Sequence, residues 1–249
     1  MFKALLVDDH LNFRTALYEA LHARFPFCEL VAVDGVASAL HHAVTMQPDL
    51  IIADLVLADG SGFDLIRRLR QKAVTAPIAV LSIHELPEYR EEALRSGANE
   101  FFGKLSTSVQ HLFDYVEGLL AKRLRALVIC REPGLGDAIG SLLAARWPDM
   151  VSVCTAGLEE GVRNARLLKP QLVVFDSGGD AERERLYCHA LRIGGAAHVS
   201  LVCVQNRPVA TAVPAGADDV LSRVGDFEVQ LAHIVERVRA EHFPHPLAA

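Results

Sequence analysis

Five residues in this chain have the types and the placement for one chemistry: Asp8, Asp9, Asp54, Ser82 and Lys104. Each follows or closes a short apolar run: ALLV before Asp8-Asp9, LIIA before Asp54, IAVL into Ser82, and NEFFG before Lys104. Runs of this length bounded by turn residues read as strands buried on both faces. In open α/β sheets, sites gather at the carboxyl ends of such strands. Three carboxylates brought together there repel one another and call for a cation. Hard oxygen ligands with open positions suit Mg²⁺, which keeps waters and accepts a phosphate oxygen. A hydroxyl and an ammonium beside it suit the remaining phosphoryl oxygens. The chemistry implied is phosphoryl transfer to a carboxylate, with Asp54 as the nucleophile. Taken singly, each residue has a plainer reading: a strand-end Asp caps a turn, an Asp pair caps a helix, a Lys sits in solvent. The case rests on all five falling at the right strand ends together.

The elements that must position them follow from pattern. Leu11 to Phe25 carries apolar residues near helical period and is stopped by Pro26. Leu30–Val33 reads as a second strand and Val36–Met46 as a helix ended by Gln47-Pro48. After Asp54, the run Asp59-Gly60-Ser61-Gly62 predicts a turn, and Phe63, Leu65, Ile66 and Leu69 a helix. Pro87 opens a further helix and Gly97 closes it. Asn99–Gly103 reads as the fifth strand, and a last helix is expected from about Ser106. Five strand-helix units in about 120 residues predict a doubly wound α/β domain with a five-stranded parallel sheet.

The pattern then repeats. Asp54 and Asp176 are 122 positions apart, as are Asp8 and Cys130, and KPQLVVFDSGG echoes QPDLIIADLVLADG. GADDVLSR at Gly216 matches GANEFFGK at Gly97 with an offset of 119, so the second copy is shorter by three around Asn206–Ala215, which carries Pro208 and Pro214. The expected organisation is a tandem of two α/β domains, residues 1–122 and 125–249. Arg123–Arg125 is the whole spacing between them, which places them close together. In the second copy only the acid Asp176 is retained. Cys130 and Arg131 replace the acidic pair, Val204 or Gln205 the serine, and Arg223 the lysine. A lone carboxylate flanked by Arg131 and Arg223 needs no Mg²⁺. The alternative is that the two arginines hold an anionic ligand.

Composition narrows the class. At 51% hydrophobic and 22% charged, with net charge −6, the chain reads as a globular protein and not as a nonspecific nucleic-acid binder. No apolar run reaches spanning length, and two aspartates interrupt the N-terminus before any signal-like stretch, so no membrane association is expected. The cysteines Cys28, Cys130, Cys154, Cys188 and Cys203 form no CxxC pair and read as buried free thiols of a cytoplasmic protein.

The first copy resembles a response-regulator receiver domain, of the flavodoxin-like, CheY-like fold. The likeness covers Met1 to about Ala121 and rests on DDH after strand one, the lone Asp54 ending strand three, LS ending strand four, and GANEFFGK at strand five. The DDH followed by NFRTALYEAL is similar to receivers usually joined to helix-turn-helix modules. The resemblance implies that Asp9 and Asp54 ligate Mg²⁺ with the Val56 carbonyl, and that Asp8 acts through water. It further implies that Asp54 accepts a phosphoryl group from a histidine kinase or phosphotransfer protein, and that Ser82 and Lys104 contact that group. Phe101 would be the aromatic switch. Leu105 departs from the pattern, which has proline after the lysine. The second copy resembles a degenerate receiver. It leaves no room for a helix-turn-helix, so direct DNA binding is not expected, and its role would be protein contact. Signal output is expected at the face of the fourth helix, fifth strand and fifth helix, flanked by Tyr89 and Tyr115, with a homodimer as the favoured contact. Turnover on a separate substrate is not expected: an aspartyl-phosphate phosphatase resembles a DxD motif, and the residue two beyond Asp54 is Val56, which moves no proton. A cobalamin module would need DxHxxG, where this chain has Phe13.

Overall fold

A computed structural model describes residues 1–193, 199–206, 213 and 216–243. The chain divides into two compact units, Phe2–Gly118 and Leu119–Ala249, with Met1 grouped with the latter.

In the first unit the elements are β1 (Phe2–Val7), α1 (Leu11–Arg24), β2 (Cys28–Val33), α2 (Val36–Met46) and β3 (Leu50–Ala53). They continue with a small hairpin of β4 (Val56–Leu57) and β5 (Gly60–Ser61), then α3 (Gly62–Gln71), β6 (Ile78–Ser82), α4 (Pro87–Ser96), β7 (Glu100–Gly103) and α5 (Val109–Ala121), which runs past the unit boundary. The main sheet is parallel, in the order β2-β1-β3-β6-β7. β3 lies at its centre, and all four of its residues are buried. The alternation of a strand explains both halves of that burial. Ile51 and Ala53 face the core shared with Ala39, Leu40, Leu65, Ile66, Leu69 and Ala93 of α2, α3 and α4. Leu50 and Ile52 face the opposite side, toward Leu21 and Phe25 beside α1 and Val116 of α5. Each such Leu, Ile, Val or Phe side chain removed from water contributes roughly 1.5–3 kcal/mol.

Two segments differ from the sequence reading. The Asp59–Gly62 stretch is not a plain turn: it closes the β4/β5 hairpin, and Asp59 accepts the amides of Val36 and Ala37 at 2.7 and 3.1 Å, capping α2. Ser106 does not begin the last helix. The amides of Leu105 and Ser106 are taken by Glu85, and Gly103 is stapled to Thr107 through both its amide and its carbonyl, so α5 starts only at Val109.

At the amino ends of β6 and β7, one guanidinium ties several segments. Arg70 donates to the carbonyls of Gly97, Val74 and Ala76 and to the Asn99 side chain, at 2.6–3.0 Å. Gly97 ends α4 at φ 111°, and a Cβ there would meet Arg70 Cγ at 2.8 Å.

The second unit contains β8 (Arg125–Ile129), α6 (Pro133–Arg146), β9 (Val151–Thr155), α7 (Leu158–Leu168), β10 (Leu172–Asp176), α8 (Ala181–Ile193), β11 (Ser200–Gln205), β12 (Asp219–Ser222) and α9 (Phe227–His242). Its parallel sheet, β9-β8-β10-β11-β12, has the strand order of the first. Most of the shortened stretch Asn206–Ala215 lies outside the described residues. Among the described residues, no helix is long and apolar enough to cross a membrane.

Candidate functional site

Register brings the predicted site together. Val7 pairs with Ala53, so Asp8 and Asp54 leave neighbouring strands side by side. Ser82 pairs with Gly103, and the Lys104 amide donates to the Ser82 carbonyl at 2.8 Å, which sets Lys104 at the same end of the sheet. The Lys104 ammonium donates to Asp54 Oδ2 at 2.5 Å and to Asp8 Oδ2 at 2.7 Å, and all three side chains are nearly buried. Asp54 Oδ1 accepts the amides of Leu55 and Val56 at 2.6 and 3.3 Å. Asp8 Oδ1 accepts the His10 amide. Ser82 is fully buried, and its Oγ accepts the His84 amide. Gly62 shuts the site from behind: a Cβ there would meet the Asp54 carbonyl oxygen at 2.2 Å, so only glycine lets α3 start so close to that backbone.

Asp9 completes the cluster. Ligand oxygens of Asp8, Asp9 and Asp54 all lie within 4.8 Å of one another. Three acids face one ammonium, so excess negative charge sits in a largely buried crevice. A hard, oxygen-only donor set with excess charge fits a divalent cation such as Mg²⁺. Val56, whose carbonyl belongs to the expected ligand set, follows Asp54 by two residues and is held in the β4/β5 hairpin opposite Ser61.

Sequence reading gave no sign of some close contacts. Phe13 of α1 lies under the Lys104 ammonium, 4.2 Å from nitrogen to ring centroid, which adds a cation–π attraction. The Glu85 carboxylate reaches the loop after Lys104, and the Ser106 hydroxyl with the amides of Leu105 and Ser106 holds its pKa below the usual range. His10 and His84 lie at the rim: His10 caps α1 through the Phe13 amide, and His84 stacks on Tyr89 at 5.0 Å. Phe101, the expected aromatic switch, lies in the core. It is 4% exposed, packed among the α2–α4 core residues with the Arg90 guanidinium over its ring.

In the second unit, register sets Asp176 in the place of Asp54, Cys130 in that of Asp8, and Gln205, paired with Ser222, in that of Ser82. Arg223 does not neutralise Asp176 in an ion pair; its guanidinium forks onto Glu132 at 2.9 and 3.4 Å. Asp176 instead accepts the Gly178 amide. Burial first, then the nearby Asp176, pushes the Cys130 thiol up to about 12, which leaves it neutral and a poor ligand for a hard cation. Arg131 is exposed. Cys154 is exposed as well, against the expectation that all five thiols are buried, because β9 is an edge strand. Cys28 is half-buried.

Residues 4–117 match the family model of the response regulator receiver domain. Among curated proteins the chain is similar to the transcriptional regulatory protein CiaR of Streptococcus pneumoniae, 28% identical over 104 residues, 42% of this chain and 45% of that protein. It is also similar to the KDP operon transcriptional regulatory protein KdpE of Escherichia coli, 35% identical over 104 residues with the same two coverages. A two-component response regulator of the LuxR family from an Aurantimonas species is a structural neighbour, 27% identical, at a TM-score of 0.45 over 49% of this chain and 86% of that one. The chain spans about half the length of the curated relatives it matches. The first unit thus carries a response-regulator receiver domain, the module of two-component systems.

Proposed function

We propose that the first unit is a phosphoacceptor switched by a sensor histidine kinase or a phosphotransfer protein. An Asp54 carboxylate oxygen attacks the phosphorus of a phosphohistidine. The P–N bond breaks, and the bonding pair stays with the imidazole, which takes up a proton. The observation that carries the reading is the Lys104 ammonium seated on Asp8 and Asp54, with Asp9 completing a three-carboxylate cluster. Asp9, Asp54 and the Val56 carbonyl would hold Mg²⁺, with Asp8 acting through a water. Bound there, the cation would offset charge on the transferred group. Lys104 stays beside the acceptor oxygen as that charge builds. The Ser82 Oγ accepts the His84 amide and keeps its proton to donate to a phosphoryl oxygen.

The second unit, in this reading, is a degenerate receiver of the same doubly wound type that takes no phosphate and serves protein contact. Output leaves by the α4, β7 and α5 face of the first unit, toward a homodimer partner. No DNA contact and no turnover on a separate substrate belong to this reading, and it places the protein in the cytoplasm.

Acetyl phosphate with Mg²⁺ tests it, read by intact mass. The wild type gains one phosphoryl group and Asp54→Asn gains none. Equal gain in both overturns the reading.

A further inference from the structure

Leu105 brings an amide hydrogen to a position where the related pattern has proline, which has none. In this chain that amide has a partner. Leu105 N–H donates to Glu85 Oε1 at 2.7 Å, and Ser106 N–H donates to the same oxygen at 3.1 Å. The carboxylate lies so closely over Gly103 that a Cβ there would meet Glu85 Cδ at 2.3 Å. Glu85 therefore holds the two residues that follow Lys104 and packs over the glycine that precedes it.

The grip joins two loops. Glu85 sits in the connection from β6 to α4, three residues after Ser82, and it holds the connection from β7 to α5, which begins at Lys104. The Leu105 side chain is 82% exposed, so its own packing does little to fix that loop. Besides the ion pairs of the Lys104 ammonium itself, the loop is held by Lys104 to Ser82, by Gly103 with Thr107, and by the contacts of Glu85 with the Leu105 and Ser106 amides and the Ser106 hydroxyl.

We propose that Glu85 is a positioning residue for Lys104: by anchoring the amides that follow the lysine, it supplies the restraint that proline gives elsewhere and links the lysine's loop to the serine's. This role rests on the phosphoacceptor reading of the site. Glu85 touches no reacting atom.

The test compares wild type, Glu85→Ala and Glu85→Gln in the full chain. One readout is the rate of Asp54 modification by acetyl phosphate with Mg²⁺; the other is hydrogen exchange of the Leu105 and Ser106 amides by NMR. Glu85→Ala is expected to slow modification about tenfold, the scale of losing the positioned hydrogen bonds of one carboxylate, and to speed exchange of both amides. Glu85→Gln keeps an acceptor oxygen and is expected to stay within about twofold of wild type. A wild-type rate in Glu85→Ala overturns the role. So does Glu85→Gln as slow as Glu85→Ala, since charge and not anchoring would then be the cause. A wild type that takes no phosphoryl group sinks the phosphoacceptor reading itself, and this role with it. A modified wild type with unchanged variants sinks this role alone.

Discussion

Lys104 and Asp54, 50 residues apart in sequence, meet at 2.5 Å, and the same ammonium also holds Asp8 at 2.7 Å. One cation thus offsets two of three clustered acids. Lys104→Met leaves both carboxylates buried without a counter-charge, and breaking a buried pair this way costs about 3 kcal/mol. The expected outcome is a lower urea midpoint in EDTA and partial recovery in millimolar Mg²⁺. Modification of Asp54 by acetyl phosphate should slow by about 100-fold, the usual cost of one charge-stabilising donor.

Asp9 behaves differently, because Lys104 reaches its two neighbours and not Asp9 itself. Asp9→Asn removes repulsion without breaking that ion pair. With oxygens less than 5 Å apart at a partly solvated site, the gain is about 1 kcal/mol. The variant should melt higher than wild type in EDTA and lose most of the Mg²⁺-induced rise in Tm. A lower melting point in EDTA would show that Asp9 makes a stabilising contact instead.

Asp59 gives a prediction with a pH sign. The Val36 and Ala37 amides hold its carboxyl below the ordinary value. A depressed folded pKa stabilises above the unfolded pKa, and that stability is lost as pH falls through the folded one. Asp59→Ala should therefore melt a few degrees below wild type at neutral pH, and the gap should close as pH drops below about 4. A gap unchanged at acid pH would mean the carboxylate charge plays no part in the cap.

Asp176 should take no phosphoryl group. Cys130 and Arg131 stand where the first unit has its acid pair, so a divalent cation there would face a neutral thiol and a guanidinium. The full chain carrying Asp54→Asn, treated with acetyl phosphate and Mg²⁺, should show no mass gain. A phosphoryl group mapped to Asp176 would overturn this.

Much of this was legible in sequence because burial writes itself into periodicity. Leu50–Ala53, Val36–Met46, Ile78–Ser82 and the Pro87–Gly97 helix with its stop fall where pattern predicts them. Asp8, Asp9, Asp54 and Lys104 could be brought together because strand ends converge in a parallel sheet, whatever the loops do. The missed features share one cause: each is a long-range contact with a loop on at least one side, and a loop has no period to read. Glu85 reaches Leu105 across 20 residues, and Asp59 reaches Val36 across 23. The Phe13 ring under Lys104 depends on where α1 crosses the sheet, which apolar spacing does not fix. Phe101 was placed on the right strand, but its rotamer answers to the core around it and to Arg90.

Arg70 ties the first unit's sheet at the end opposite the acids. Its guanidinium spends its donors on carbonyls of the α3–β6 connection, on Gly97 and on Asn99, at the end of the sheet remote from the acids. β6 and β7 are therefore laced at both ends: by Arg70 at their amino ends, and at their carboxyl ends by the Lys104 amide on the Ser82 carbonyl. Only the second lacing runs through the candidate site, since the Lys104 ammonium also holds Asp54 and Asp8. A group that draws Lys104 off those carboxylates would loosen one end of the strand pair and leave the other tied.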